Sequence, residues 1–419
     1  MPSLAQGLSI ERMKQLISLI LLLVVSLSAG AQSKTEKMIH KIVASEMARY
    51  RKAWMIDTKK GPKWGYTQGL ELKAMLDFAD VQGDDGYRRM VYDYVEGYTD
   101  TLVREDGSIR TYDMQTFKLD DINSGKLLFR MLDYTGKKKY RMAMDTLRHQ
   151  LEIQPRTLDG GFWHKQIYPE QMWLDGLYMS APFYAEYSQW FETREKRAMS
   201  MDDVEHQFCL IYNRTYCDKC KLLHHAWDAD SIQSWADKKT GRSAHAWGRA
   251  EGWYLMALVD YLEIYQNNSS TYYAQDQGAI DSLTYILQSL CGRMLEIRDE
   301  ETGAWHQVLD VTDKADNYLE MSVTPMMAYV FLKGVRLGYL DESYHKEAVK
   351  TLKGIEHHFV GEDENGLVVL KHVCKVAGLS DTRNGSYEYY IKEQQADNDP
   401  KGLGPWIMAL TELYKSEIK

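Results

Sequence analysis

The feature that most limits the fold of this chain is an apolar spacing of three and four residues that recurs along almost its whole length. It predicts roughly twelve helical segments, separated by short turns rich in Gly, Asp and Asn. The expected spans are 36–51, 66–79, 86–104, 120–134, 138–152, 171–189, 197–214, 245–265, 275–295, 318–337, 343–359 and 403–417. Only GAWHQVLDV, from Gly303, and GLVVLKHV, from Gly366, have the pattern of strands. No Gly/Ser/Pro-rich linker, low-complexity tract or composition shift divides the pattern, so a single all-α domain is expected over 32–419. Twelve helices in one domain suggest six antiparallel hairpins closed into an (α/α)6 barrel. A helical solenoid is the rival architecture, but the chain lacks the fixed-length repeat that solenoids carry.

Residues 1–31 have the pattern of a removable leader. Arg12 and Lys14 flank Met13, LISLILLLVVSLS follows, and Ala29-Gly30-Ala31 supplies an A-x-A cleavage site before Gln32. Met13 is a second candidate start. The apolar run is too short to span a bilayer with polar flanks on both sides, and no later stretch is long and apolar enough. Gln32 also stands where a lipoprotein would have cysteine. A periplasmic or secreted product with no membrane insertion after leader removal is therefore expected, and a monomer.

The chain carries a net charge of −9, which argues against nucleic acid and anionic membranes as partners. An acidic sugar stays compatible if a few cationic side chains converge on its site. The 11 Trp and 29 Tyr beside only 9 Phe favour rings with a polar edge, which suit sugar faces and wet clefts, although Tyr-rich helix packing accounts for part of the excess. Five cysteines cannot all pair. Cys217 and Cys220 form one C-x-x-C with no second pair to complete a zinc site, so a small loop disulfide is expected, with two buried thiols as the alternative. No nucleotide-binding glycine loop or Ser/His/Asp set is present, and no metal or cofactor is expected.

The richest stretch runs from Pro155 to Phe183, PRTLDGGFWHKQIYPEQMWLDGLYMSAPF. Gly160 and Gly161 allow a tight turn that presents Phe162, Trp163 and His164 together, and Asp175 follows Trp173 at the start of an apolar helix. An acid there is a candidate proton donor, and it also suits a helix N-terminus for ordinary reasons. Asp120 and Asp121, in LDDINSGKLLF, are a second carboxylate pair that a cap would also explain. LLHHAWD and HAWGRAEGWYLMAL bring His225, Trp247, Arg249 and Trp253. Arg249 and Trp253 share a helix face, for which packing is a sufficient account.

Together, GGFWHKQIYPEQMWLDGLYMSAPFYAEY, DDINSGKLLF, HAWGRAEGWYLMAL, GAWHQVLDVTDKADNYLEMS and GSYEYYIKEQQADNDPKGLGPWIMA resemble glycoside hydrolase family 105, the unsaturated rhamnogalacturonyl hydrolases. The similarity runs in order from WGYTQGLELKAML, at Trp64, almost to the C-terminus, and the (α/α)6 barrel of that family agrees with the segment count. The resemblance implies that Asp175 is the general acid/base and Asp120 its carboxylate neighbour. It implies contacts to the sugar from Tyr66, His164, Trp173, His225, Trp247, Arg249 and Trp253. Arg249 is the candidate for the substrate carboxylate because its planar fork matches that group, with His225 next, and Trp247 and Trp253 are the candidate sugar platform. YCDKC departs from the D-x-x-T-G-like turn usual before H-x-W-D, and Glu251 occupies a variable position.

The implied substrate is an oligosaccharide left by a polysaccharide lyase, with a C4=C5 double bond in its terminal uronic acid. That bond is part of a vinyl ether, so protonation at C4 followed by water attack at C5 needs one acid that returns as base. It needs no nucleophile at the anomeric carbon, unlike ordinary two-carboxylate glycosidases. Burial beside Trp173 and repulsion from Asp120 are expected to raise the Asp175 carboxyl, against the pull of the helix N-terminus. The terminal sugar is expected to be galacturonyl. A glucuronyl hydrolase acting on glycosaminoglycan fragments is the alternative enzyme, and a non-catalytic sugar binder on the same barrel is the alternative of a different class.

Overall fold

The computed structural model describes residues 32–58, 60–268 and 277–418, so the expected leader lies outside the described residues. Outer and inner helices alternate along the chain, each outer helix followed by an inner one. They are α1 (Lys34–Arg49) with α2 (Tyr66–Ala79), α3 (Asp85–Leu102) with α4 (Lys126–Thr135), and α5 (Lys138–Ile153) with α6 (Leu174–Phe191). Then come α7 (Arg194–Thr215) with α8 (Gly248–Asn267), and α9 (Gln277–Glu296) with α10 (Val323–Leu337). The last pair is α11 (Ser343–His358) with α13 (Pro400–Glu417), and the short α12 (Tyr387–Ile391) lies between them. A 3-10 helix, Leu119–Gly125, leads directly into α4.

Burial separates the two rings. On α8 every residue from Gly248 to Leu262 is buried, as expected of a helix covered on all sides. On α3 only one stripe is buried, which includes Tyr87, Val91, Val95, Tyr98 and Leu102, and the other face is polar. The inner helices contact one another in the order α2, 3-10/α4, α6, α8, α10, α13, and α13 packs back on α2. That last contact closes the (α/α)6 barrel and excludes an open solenoid. Close approach is needed within the ring: a Cβ on Gly69 of α2 would lie 2.7 Å from Ser124 Cα, so only glycine lets these inner elements meet. Among the described residues, no helix is long and apolar enough to cross a membrane.

All twelve expected helices are present, and the differences lie at their ends. The segment expected from 120 opens as a 3-10 helix, and the one expected from 171 begins as a strand, Gln171–Trp173. This β1 pairs antiparallel with β4 (Ala226–Asp228), so Trp173 faces Ala226. β2 (Tyr216–Cys217) pairs with β3 (Leu222–Leu223) as a hairpin just before β4. The GLVVLKHV expectation holds in part: β6 (Val368–Leu370) pairs with β5 (Val360–Glu362), and β7 (Val373–Cys374) pairs with β8 (Gln395–Ala396). GAWHQVLDV forms no strand. It makes only isolated bridges, Trp247 with Val308 and His306 with Leu319, because it is held by separate loops rather than by one partner strand.

Glu251 ties α8 to the β2–β3 hairpin: its Oε2 accepts the Leu223 N–H at 3.0 Å, while Oε1 has no hydrogen-bond partner among the described residues. Burial pushes this carboxyl up to about 8, so it is largely protonated at neutral pH. Because the folded value lies above the unfolded one, its contribution to stability is full below about pH 4.5 and is lost as pH rises towards about 8. Glu251→Gln keeps the acceptor and removes the ionisation. It should flatten that part of the stability curve and raise Tm relative to the parent near pH 9, by several degrees. Parallel Tm curves from about pH 5 to about pH 9 would refute the assignment.

Candidate active site

Because every inner helix follows an outer one, the inner helices run parallel and place their N-termini at one end of the barrel. The long connections 103–118, 154–170 and 297–322 lead to this end, whereas short turns such as 136–137 and 192–193 lie at the other. The inner helices α2, α6 and α8 begin after Gly65, Trp173 and Trp247 with no cap from the side chain of that residue, while the first N–H of α10, that of Val323, donates to the Glu320 carboxylate. The positive ends of the helix dipoles favour negative charge at this mouth.

Asp175 lies in the first turn of α6, oriented by the β1–β4 pairing beside it. Leu174 N–H donates to the His225 carbonyl at 3.2 Å, and His225 Nε2 lies 3.3 Å from Asp175 Oδ2. His225 is fully buried, and its Nδ1 is 2.8 Å from the Tyr390 hydroxyl. Burial drives the Asp175 carboxyl up. The close approach of His225, with His164 and Arg249 behind it, outweighs that effect and holds the carboxyl below the ordinary carboxylate range. The expected rise is therefore not found, because His225, His164 and Arg249, gathered from three separate segments, together offset the effect of burial.

Asp120 occupies the 3-10 helix, with Lys165 Nζ 3.0 Å from one oxygen and His164 Nε2 3.6 Å from the other. Burial again pushes up, and Lys165, His164 and Lys118 together pull the Asp120 carboxyl well below its usual value. Its charge is thus compensated locally, so it does not supply the repulsion expected to raise Asp175. Burial drops His164 to about 4 despite Asp120, which leaves its ring neutral near neutral pH. The ring lies parallel to Trp173 at 4.8 Å, and Tyr168 lies parallel to the same indole at 4.9 Å. The backbone fixes this arrangement: His164 N–H donates to Gln171 O at 2.8 Å, and Leu119 N–H donates to His164 O at 3.1 Å.

Arg249, in the first turn of α8, is only 2 % exposed. Its Cζ sits 4.5 Å from the centre of the Trp247 ring, and its Nη1 donates to Ser322 Oγ at 3.4 Å and to the Cys374 carbonyl. Trp247 lies 4.7 Å from His225 and stacks near Tyr390, and its Nε1 donates to Gln307 Oε1 at 3.1 Å. Half-buried Tyr66 opens α2, and Arg249, Asp120, Asp399 and Asp175 all act electrostatically on its hydroxyl. Trp253 is placed differently from the others. It stacks on Tyr178 at 4.6 Å, one turn further into the barrel, so it packs beneath the site.

The fold thus brings Asp175, Asp120, His164, Trp173, His225, Trp247, Arg249 and Tyr66 to one end. Sequence reasoning missed Lys165, Tyr168, Tyr390, Gln307 and Ser322, which hold or flank these residues. Each falls inside a stretch that had been singled out, but only contact across the barrel reveals its partner. A cavity of about 710 Å³ opens at the opposite end, between the C-terminal halves of the inner helices. Its charges include the pairs Lys73 with Asp77 at 2.7 Å and Lys333 with Asp260 at 2.7 Å, while Lys126 Nζ donates to the Tyr178 carbonyl at 2.6 Å. Cations there offset the negative helix ends, which is a structural role.

The family model for Glycosyl Hydrolase Family 88 matches residues 38–417. A solved glycoside hydrolase from family 105 of C. acetobutylicum ATCC 824 is similar at 38% identity, covering 92% of this chain and 100% of that one, with a TM-score of 0.80. The 24.9 kDa protein in the picA locus of Rhizobium radiobacter is 34% identical over 245 residues, which is 56% of this chain and 97% of its own length. The unsaturated rhamnogalacturonyl hydrolase YesR of Bacillus subtilis (strain 168) is 22% identical over 298 residues, 70% of this chain and 75% of its own.

Proposed function

Because the chain belongs to glycosyl hydrolase family 88 and, within that grouping, to family 105, and is an enzyme of the unsaturated uronyl hydrolase type, we propose that Asp175 is its general acid/base and that it removes a terminal unsaturated galacturonyl residue. The observation that carries this reading is the position of Asp175. It lies at an uncapped N-terminus beside His225, with Arg249 and His164 close enough to influence its charge. In the proposed route Asp175 protonates C4, and the positive charge that develops at C5 is shared with the ring oxygen. Water attacks C5, and the Asp175 carboxylate takes the water's proton. The resulting hemiketal opens, and the hemiacetal left at C1 releases the neighbouring sugar.

Arg249, aided by the positive ends of the helix dipoles, binds the uronate carboxylate in this scheme, Trp173 and Trp247 border the sugar, and Tyr66 and neutral His164 contact its hydroxyls. Asp120 is a positioning residue that holds Lys165 and His164. The basic-then-apolar leader supports export to the periplasm or medium, where lyase products arise. The test is to incubate the purified enzyme with lyase-generated oligosaccharides from pectic and glycosaminoglycan polymers and to follow loss of the double-bond ultraviolet absorbance. Faster loss with galacturonyl ends supports the proposal. Preference for glucuronyl ends would overturn the choice of sugar, and no loss with any substrate would overturn the reaction.

A further inference from the structure

The C-x-x-C sequence does not form the expected loop disulfide: Cys217 and Cys220 are separate thiols. The hairpin instead gathers a third group with them. One ligand atom each from Cys217, Cys220 and His224 lies within 4.8 Å of the others, with Cys220 Sγ 4.0 Å from His224 Nε2. The turn is tight: Lys221, at φ 57°, donates its N–H to the Cys217 carbonyl at 2.7 Å.

His224 supplies an independent observation. Its Nδ1 is bonded to the Ser243 carbonyl, and because a carbonyl only accepts, the proton sits on Nδ1. The lone pair of Nε2 is then left facing the sulfur. A ring nitrogen bonded to a backbone carbonyl while the other faces thiols is the support a metal-bound histidine receives. Arg293 Nε anchors the turn to α9 by donating to the Cys220 carbonyl at 2.8 Å.

We propose that Cys217, Cys220 and His224 bind one divalent ion of the zinc type, through two thiolates and a neutral imidazole, with water in the fourth position. Sulfur and imidazole ligands suit zinc, and three protein ligands leave one tetrahedral position open. Two thiols lose their protons as the ion enters, so the two negative charges cancel the charge of the ion and affinity falls at low pH. The site does not take part in the proposed acid/base route. It fixes the end of the hairpin immediately before His225, and so helps position the residue that touches Asp175.

The test begins with the reduced full-length mature protein, stripped with a chelator and titrated with cobalt(II). Thiolate-to-cobalt charge-transfer bands should saturate at one equivalent and disappear when zinc is added. Protein purified without chelator should contain zinc in the same ratio by elemental analysis. Cys217→Ser should abolish the charge-transfer signal or weaken cobalt binding by more than about 100-fold, and His224→Gln should weaken it by at least about 10-fold. Absence of thiolate bands in the reduced wild-type protein overturns the proposal, and this measurement stands even if a variant fails to fold. Full cobalt affinity in folded Cys217→Ser also overturns it, as does a Cys217–Cys220 disulfide that forms in the presence of excess zinc.

Discussion

Asp175→Asn is expected to cut turnover by at least about 1,000-fold, within the range attributed to a general acid/base. The substitution keeps the shape of the side chain but cannot donate the proton to C4 or recover one from water. Folding should survive, since His225 stays anchored on Tyr390 and the β1–β4 pairing does not use the Asp175 side chain. The pH behaviour of the parent enzyme gives a second measure. In the free protein, His225, His164 and Arg249 hold the carboxyl low. A bound uronate adds a negative charge and displaces water, and both effects raise it. The fall in kcat at high pH should therefore lie at higher pH than the fall in kcat/KM, since the first reports the bound enzyme and the second the free one. Circular dichroism and the double-bond assay together decide the matter: near-parental turnover in a folded Asp175→Asn protein removes Asp175 from the role.

The second large effect is expected at Arg249. Arg249→Lys keeps the charge but loses the fork, and should raise KM by about 10-fold or more. Arg249→Ala should be worse and should also lower stability, because it removes buried packing against Trp247 and the bonds to Ser322 and the Cys374 carbonyl. Glu320 fixes those partners: its oxygens accept from Ser322 Oγ at 2.6 Å, Val323 N–H at 2.9 Å and Cys374 N–H at 2.7 Å. The same shell orients Arg249 through Ser322 and the Cys374 carbonyl. Packing and carboxylate binding can be separated with an unsaturated uronyl disaccharide and its methyl ester. The parent should prefer the free acid, and the alanine variant should lose that preference while stability is followed by Tm. An unchanged preference in Arg249→Ala would move the role to His225.

The helices were legible because their signal is local. Apolar spacing marks a face wherever a helix is packed, so all twelve segments were visible from Lys34 to Glu417. Their ends were less legible. Gln171–Trp173 carries helix-like residues but becomes a strand because Ala226–Asp228 lies beside it. Residues 303–311 look like a strand but have no continuous partner.

The sequence by itself determined the helical class, the number of hairpins and the short motifs in which the site residues stand, since each depends on neighbours only a few positions apart. Tertiary structure decided the rest. The contact of α13 with α2 closes the ring, and the parallel inner helices place the site at their N-termini. His225 meets Asp175 although fifty residues separate them in the chain, and Lys165 offsets Asp120. Tyr390 reaches His225, while Trp253 turns inward onto Tyr178. The direction of the Asp175 shift also reversed for this reason. A carboxyl's pKa depends on the balance between desolvation and charges a few ångströms away, and spacing along the chain does not contain those distances.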